Sequence, residues 1–124
     1  MSDPRRAWGR RNHRAGLAAE DIVARWYQAR GAAVLARRWR APEGEIDMVV
    51  RDGACLVFVE VKGGRAALAR DCIAPAQWAR LERAALRYML TLETGETPAR
   101  FDAAFVGPDG AVAVVENARA SEAW

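Results

Sequence analysis

The chain has 124 residues, 52% of them hydrophobic, and a formal net charge of +3, which describes one domain able to bury a core without disulfide or metal staples. No run of about eighteen apolar residues exists to span a membrane, and no apolar stretch follows the N-terminal arginines as a secretory signal would require. Cys55 and Cys72 match neither a zinc spacing nor a disulfide framework, so two reduced thiols in the cytoplasm are expected.

The charge is unevenly placed. Residues 1–14 carry Arg5, Arg6, Arg10, Arg11 and Arg14 against Asp3, a surplus of four, so the remainder carries a net −1. The basicity belongs to an arm ahead of a domain spanning 15–117, with 118–124 as a tail. Such an arm can contact phosphates or simply be solvated.

In chain order, Gly16 to Arg30 reads as a helix with Ala19, Ile22, Val23, Trp26 and Ala29 on its apolar stripe, and Gly31 offers a left-handed end. Ala32 to Trp39 reads as a strand, and Ala41-Pro42-Glu43-Gly44 as a turn. Glu45–Arg51 and Cys55–Lys62 flank Asp52-Gly53, a hairpin signal. Residues 63–71 read as a loop. Pro75 suits a helix first turn, and that helix runs to about Leu90 with Trp78, Leu81, Ala85, Tyr88 and Met89 inward. Thr94-Gly95 breaks it. Arg100–Val106 and Ala111–Val115 are strands around Gly107-Pro108-Asp109-Gly110, and the chain frays from Asn117. The order α-β-β-β-α-β-β gives a mixed α/β fold, a central sheet flanked by helices.

The hairpin has a chemical consequence. Side chains alternate across strands, and an even-length loop pairs residues whose numbers sum to an odd value. Ile46, Met48, Val50, Val57, Val59 and Val61 then form one apolar face, and Glu45, Asp47, Glu60 and Lys62 converge on the other. An odd-length loop would mix acids with valines on both faces, which burial disfavours. Lys62 is the only lysine; the other basic side chains of the charged set are eighteen arginines. A lysine is a compact charge whose pKa can be lowered, whereas arginine is a planar fork that stays charged. Residues two apart on a strand lie about 6.6 Å apart and project together. Carboxylates from neighbouring strands can hold Mg²⁺ or Mn²⁺, and a lysine beside them can orient water or stabilise phosphate charge. Ion pairs at a sheet surface are the competing use of the same residues.

Glu20, at the edge of the helical stripe, can supply a third carboxylate through water or lie on the helix surface. Glu45 reads as a supporting partner of Asp47 or a solvated acid. Gln77 can hydrogen-bond a phosphate or the attacking water; capping or surface use is the commoner role. Arg100 and Asp102 read as structural ion-pair residues, paired with Glu45 or with each other's neighbours. His13 stands alone and supports no metal site.

Gly16-Leu-Ala-Ala-Glu20, Gly44-Glu45-Ile46-Asp47, Phe58-Val59-Glu60-Val61-Lys62, the helix from Gln77 through Leu81 and Ala85, and Arg100-Phe101-Asp102 occur in that order. Over residues 12–117 the chain resembles the YraN-like uncharacterised family of bacteria. That resemblance implies a restriction-endonuclease-like fold carrying the PD-(D/E)xK nuclease motif, similar to archaeal-type Holliday junction resolvases. It makes Glu20 the helix acid, Asp47 and Glu60 the metal ligands, the Val61 carbonyl a further ligand, and Lys62 the catalytic lysine. It implies Mg²⁺ or Mn²⁺ as cofactor, DNA as substrate ahead of RNA, and a homodimer, because the resolvases are dimers. Members of the family also carry arginine at the motif lysine. Here Gly63-Gly64 delays to Arg65 the arginine that commonly follows two residues after it, and Gln77 stands where a lysine is frequent. The functional expectation is a metal-dependent nuclease acting on DNA, branched DNA included. A non-catalytic nucleic-acid-binding module and a protein-interaction partner in DNA repair or processing are the alternatives.

Overall fold

The first helix, α1, owes its position to Tyr27 as much as to its aliphatic residues. In the computed structural model, which describes residues 18–63, 73–92 and 97–119, α1 covers 18–29 of that range. Its buried residues are Ala19, Glu20, Val23, Ala24 and Tyr27, at the three- and four-residue steps of one helical face. The stripe is thus rotated from the expected one: Ile22 and Trp26 are half-buried and Ala29 is exposed. The reason is polar, since the Tyr27 hydroxyl donates to the buried Asp102 carboxylate at 2.7 Å. Gly31 ends the helix as expected, at φ +85°, with Ala32 N–H returning to the Tyr27 carbonyl at 3.1 Å.

Three antiparallel strands follow: β1 (Ala33–Ala41), β2 (Gly44–Asp52) and β3 (Cys55–Gly63). Pro42 and Glu43 make the first turn; Gly53 and Ala54 make the second, with Gly53 at φ +61°. Helix α2 (Pro75–Leu90) starts on its proline and crosses to β4 (Ala99–Val106), which lies parallel to β3. β5 (Val112–Val115) returns antiparallel to β4. The sheet order is β1-β2-β3-β4-β5, a five-stranded mixed sheet in the α-β-β-β-α-β-β arrangement and consistent with a restriction-endonuclease-like fold.

Each face of the sheet is covered. On one side α1 packs Ala19, Val23 and Tyr27 against Met48, Val50, Val57, Val59, Ala104 and Val106. On the other, α2 packs Trp78, Leu81, Ala84 and Ala85 against Val49, Leu56, Phe58, Ala103 and Phe105. Phe58 carries aromatic order through that second core, stacked on Phe101 at 5.6 Å and edge-on to Tyr88 at 5.9 Å. The β2–β3 register, Met48↔Val59 and Val50↔Val57, has the odd sums expected from the loop.

One residue departs from that alternation. Ile46 was expected beside Met48, but it packs on the α2 side, as does its β1 partner Trp39. Between the Arg37↔Met48 and Trp39↔Ile46 pairs the ribbon turns over. Arg38, at that point, has φ +52°, a left-handed conformation that costs a non-glycine residue about 1–3 kcal/mol. Residues 117–119 also depart from expectation. Ala118 is buried, its N–H donates to the Phe101 carbonyl at 2.7 Å, and Arg119 pairs with Glu82 at 2.6 Å.

Candidate functional site

Glu60 and Lys62 leave the end of β3 toward α2, because alternation gives them the face of Phe58. The paired part of β2 and β3 stops at Met48↔Val59. The next N–H on β3, that of Val61, donates instead to Asp47 Oδ2 at 2.8 Å. The Asp47 carboxylate thus takes the place of a strand carbonyl, which fixes it against β3. Gln77, in the first turn of α2, completes the arrangement. Its Nε2 donates to Glu60 Oε1 at 2.6 Å, and its Oε1 accepts from Lys62 Nζ at 3.4 Å. Lys62 Nζ lies 3.5 Å from Glu60 Oε1. Gln77 therefore belongs to this cluster and is not a cap; the helix N-cap residue, Ala74, makes no side-chain capping bond.

The electrostatics are unfavourable in isolation. Burial pushes the Asp47 carboxyl up; the Val61 N–H works against this, and the charges of Glu20 and Glu45 add to it. Burial also raises Glu60, then the nearby Asp47 charge raises it further, with Lys62 opposing. The two carboxyl groups are close enough to share a hydrogen bond when one is protonated. Like charges this close resist ionising together. They face a cleft of about 220 Å³ whose lining includes Glu45, Gln77, Arg80 and Leu81.

Glu20 is buried, at 4% exposure, yet it does not line the cleft. Arg38 Nε lies 3.2 Å from both its oxygens, and Arg37 reaches it at 3.8 Å. Its position follows from the rotated stripe, since Glu20, Ala24 and Tyr27 share a helical line. Glu45 pairs with Arg40 at 3.1 Å and Arg38 at 3.9 Å, the salt-bridge role foreseen for it. Among the described residues no group of three His, Cys, Asp or Glu side chains converges as a metal-holding set; the converging carboxylates are two.

A second acidic centre lies on the α1 side of the sheet. Asp102 has no exposed surface and is hydrogen-bonded on every side. It accepts from Tyr27 at 2.7 Å, from Arg100 Nε at 3.1 Å and from the Asn117 N–H at 3.0 Å. Arg100 also pairs with Asp52 at 3.1 Å; of the two kinds of partner open from the sequence, it is not Glu45 that it takes. The structural use of this pair stands. Burial, and then the Asp102 charge, hold the Tyr27 hydroxyl far above its ordinary pKa.

The structure thus brings together Asp47, Glu60, Lys62 and Gln77, keeps Glu45 on the cleft wall paired with Arg40 and Arg38, and sets Glu20 outside the cleft against Arg37 and Arg38. Arg5, Arg6, Arg10, Arg11, Arg14, His13, Arg65 and Cys72 lie outside the described residues. Sequence reasoning missed Arg37, Arg38 and Arg80. For Arg80 a signal was present: it follows Gln77 by three residues, and so shares its helical face.

Fold and site define a mixed α/β protein with a pair of carboxylates, one buried and one half-buried, and a lysine at the end of a strand entering a helical crossover. A family model described as Uncharacterised protein family UPF0102 matches residues 19–106. Related proteins include a UPF0102 protein of Ruegeria sp. (strain TM1040), 43% identical and aligned over 95% of this chain and 97% of its own. Another is from Ruegeria pomeroyi, at 46% identity over 89% and 91%. A third, from Frankia alni, is 40% identical over 80% and 87%. The chain belongs to the UPF0102 family, the YraN-like family that its motifs resemble.

Proposed function

We propose that this protein is a Mg²⁺- or Mn²⁺-dependent nuclease that hydrolyses phosphodiester bonds in DNA, branched DNA included. The observation that carries the reading is the Asp47–Glu60 pair: a half-buried and a buried carboxylate close enough to raise each other's resistance to ionising, with one lysine as counter-charge beside Glu60. Their donor set fits a hard divalent cation, because a dication between two such groups removes the repulsion that keeps them from ionising together. Asp47, Glu60 and the Val61 carbonyl would hold it, with Glu20 acting through water. A bound Mg²⁺ or Mn²⁺ would supply Lewis acidity toward the phosphate and lower the pKa of water.

The chain's own residues account for the rest. Val61 N–H fixes the Asp47 carboxylate, and Gln77 fixes Glu60 and Lys62 relative to each other. Lys62 Nζ, at 22% side-chain exposure, can reach a substrate phosphate oxygen or the attacking water while remaining tethered to Gln77. Positioned charge of this kind contributes where negative charge develops at phosphorus. The resemblance to Holliday junction resolvases supports a branched substrate and a homodimer.

Cleavage of junction, flap and duplex DNA, with and without Mg²⁺ or Mn²⁺, tests the reading. Metal-dependent cleavage lost in Asp47→Ala and Glu60→Ala supports it; activity surviving both changes overturns this site. A non-catalytic DNA-binding module is the second reading, favoured by the engagement of Glu20 with Arg37 and Arg38 and of Glu45 with Arg40, which leaves Asp47 and Glu60 as the cleft carboxylates not paired with arginine. It predicts binding with a steep salt slope, reduced on deleting residues 1–14, and no cleavage with any metal.

A further inference from the structure

We infer that Arg80 is the phosphate-binding residue of the acidic cleft, and that it seats a backbone phosphate of a DNA strand beside the Asp47–Glu60 pair. This rests on the nuclease reading for the identity of the strand. It does not rest on it for the site, which has its own geometry.

Arg80 lines the same cleft as Asp47 and Glu60. It stands one helical turn beyond Gln77 and on the same face of α2. The other arginines around this region are committed to carboxylates: Arg38 to Glu20, Arg40 to Glu45, and Arg87 to Glu43. Arg80 makes no hydrogen bond or ion pair among the described residues, although acids line its cleft. Its stem is held close to the β1–β2 turn: a Cβ built on Gly44 would lie 3.7 Å from Arg80 Cβ. An exposed guanidinium whose Cβ is set beside that turn, with its five donors unspent, is suited to the bidentate capture of a phosphate.

The direction of the strand follows. Arg83, which makes no hydrogen bond or contact ion pair among the described residues and lies within electrostatic reach of Glu43, is the next position on that face, and Arg87 is a turn further. Along the helix these three positions span about 10 Å. A strand entering the cleft at Arg80 would leave along α2 past Arg83. Arg25, on α1 across the sheet, faces a different groove with Asp21, Gln28 and Arg37, and serves as the control for general charge.

The experiment measures binding of a fluorescein-labelled four-way DNA junction by anisotropy across a salt series. Ca²⁺ is the dication, and a gel verifies that the probe stays intact. Mn²⁺ binding is measured in parallel by calorimetry on the full chain. For Arg80→Gln, affinity should fall about tenfold, and the slope of log affinity against log salt should shallow by about 0.9. Mn²⁺ affinity should be unchanged. Arg80→Lys should restore the slope but only part of the affinity, and Arg25→Gln should leave both at the wild-type value. An unchanged slope in Arg80→Gln overturns the assignment, as does an equal loss in Arg25→Gln or a wild type that binds no DNA. If the wild type binds no Mn²⁺ but its DNA affinity still depends on Arg80, the nuclease reading falls and the phosphate site stands.

Discussion

The sheet carries buried acid on both faces, and the two cases are opposites. On the α1 side, Asp102 is enclosed by Tyr27, Arg100 and the Asn117 N–H, so its charge is fully met inside the fold. On the α2 side, Asp47 and Glu60 face each other, and one lysine, the Gln77 amide and the Val61 N–H serve them. Burying a charge is tolerated when it is paired and hydrogen-bonded. The first centre satisfies that condition within the chain; the second satisfies it in part, and the proposed cation would complete it. The difference separates a carboxylate that stabilises the fold from a pair that costs stability and, on the proposed reading, gains a ligand.

The largest effect that would sharpen this contrast is on catalysis. Asp47→Asn keeps an acceptor for the Val61 N–H but removes the charge, and Glu60→Gln does likewise for the Gln77 contact. Each should lower cleavage about 10³-fold, the equivalent of several kcal/mol of charge stabilisation. Neither should lower the urea midpoint in metal-free buffer. A marked loss of stability in either variant would make the pair a second Asp102 and break the contrast.

Asp102→Ala should behave in the opposite way. It strands the Tyr27 hydroxyl and leaves Arg100 without its buried partner, at a cost of about 3–5 kcal/mol in urea unfolding. Tyr27→Phe, which removes one bond to that carboxylate, should cost about 1.5–3 kcal/mol. Wild-type stability in both variants would show that the hydrogen bonds around Asp102 carry no weight.

Lys62→Arg tests the lone lysine. The planar fork cannot occupy the place of an ammonium between Glu60 and Gln77, so single-turnover cleavage should fall about 10²-fold with Mn²⁺ affinity kept. Full activity would show that positive charge alone is enough.

The smallest predicted effect is on pH dependence. Asp47 is raised to about 6 and Glu60 to about 7, both above their ordinary values. Folding therefore favours their protonated forms. Their contribution to stability is full below about pH 4 and is lost as pH rises through 6 to 7. In metal-free buffer, the Tm of wild type relative to Asp47→Asn should fall by a few degrees over that interval. Added Mg²⁺ should cancel the fall. An identical pH profile for the two proteins would contradict it.

Much of this was legible before any coordinates. The alternation in Glu45–Arg51 and Cys55–Lys62, joined by an even loop, places Asp47, Glu60 and Lys62 together, because a one-residue slip would bury acids among valines. Pro75 marks the start of α2 for a backbone reason. What was not legible depends on contacts between distant segments. Nothing in the local pattern marks Arg38 for a positive φ, so the crossing of Ile46 to the α2 side is hidden. The α1 stripe was misplaced because Tyr27 turns inward for Asp102, a partner 75 residues away. Gln77 stays open between a site role and a capping or surface role because its two partners lie on another element, and Ala118 reads as part of a tail because its anchor is the Phe101 carbonyl.

The central claim, that Asp47 and Glu60 form a cation site, is tested most directly by calorimetric titration of Mn²⁺ into the wild type and into Asp47→Asn/Glu60→Gln at pH 7.5, a condition set above the values of about 6 and about 7. The account predicts saturable binding to the wild type, weakening as pH falls below 6 because protons compete for the same oxygens, and no binding to the double variant. Binding that is undiminished in the double variant, or no binding to the wild type, would contradict it.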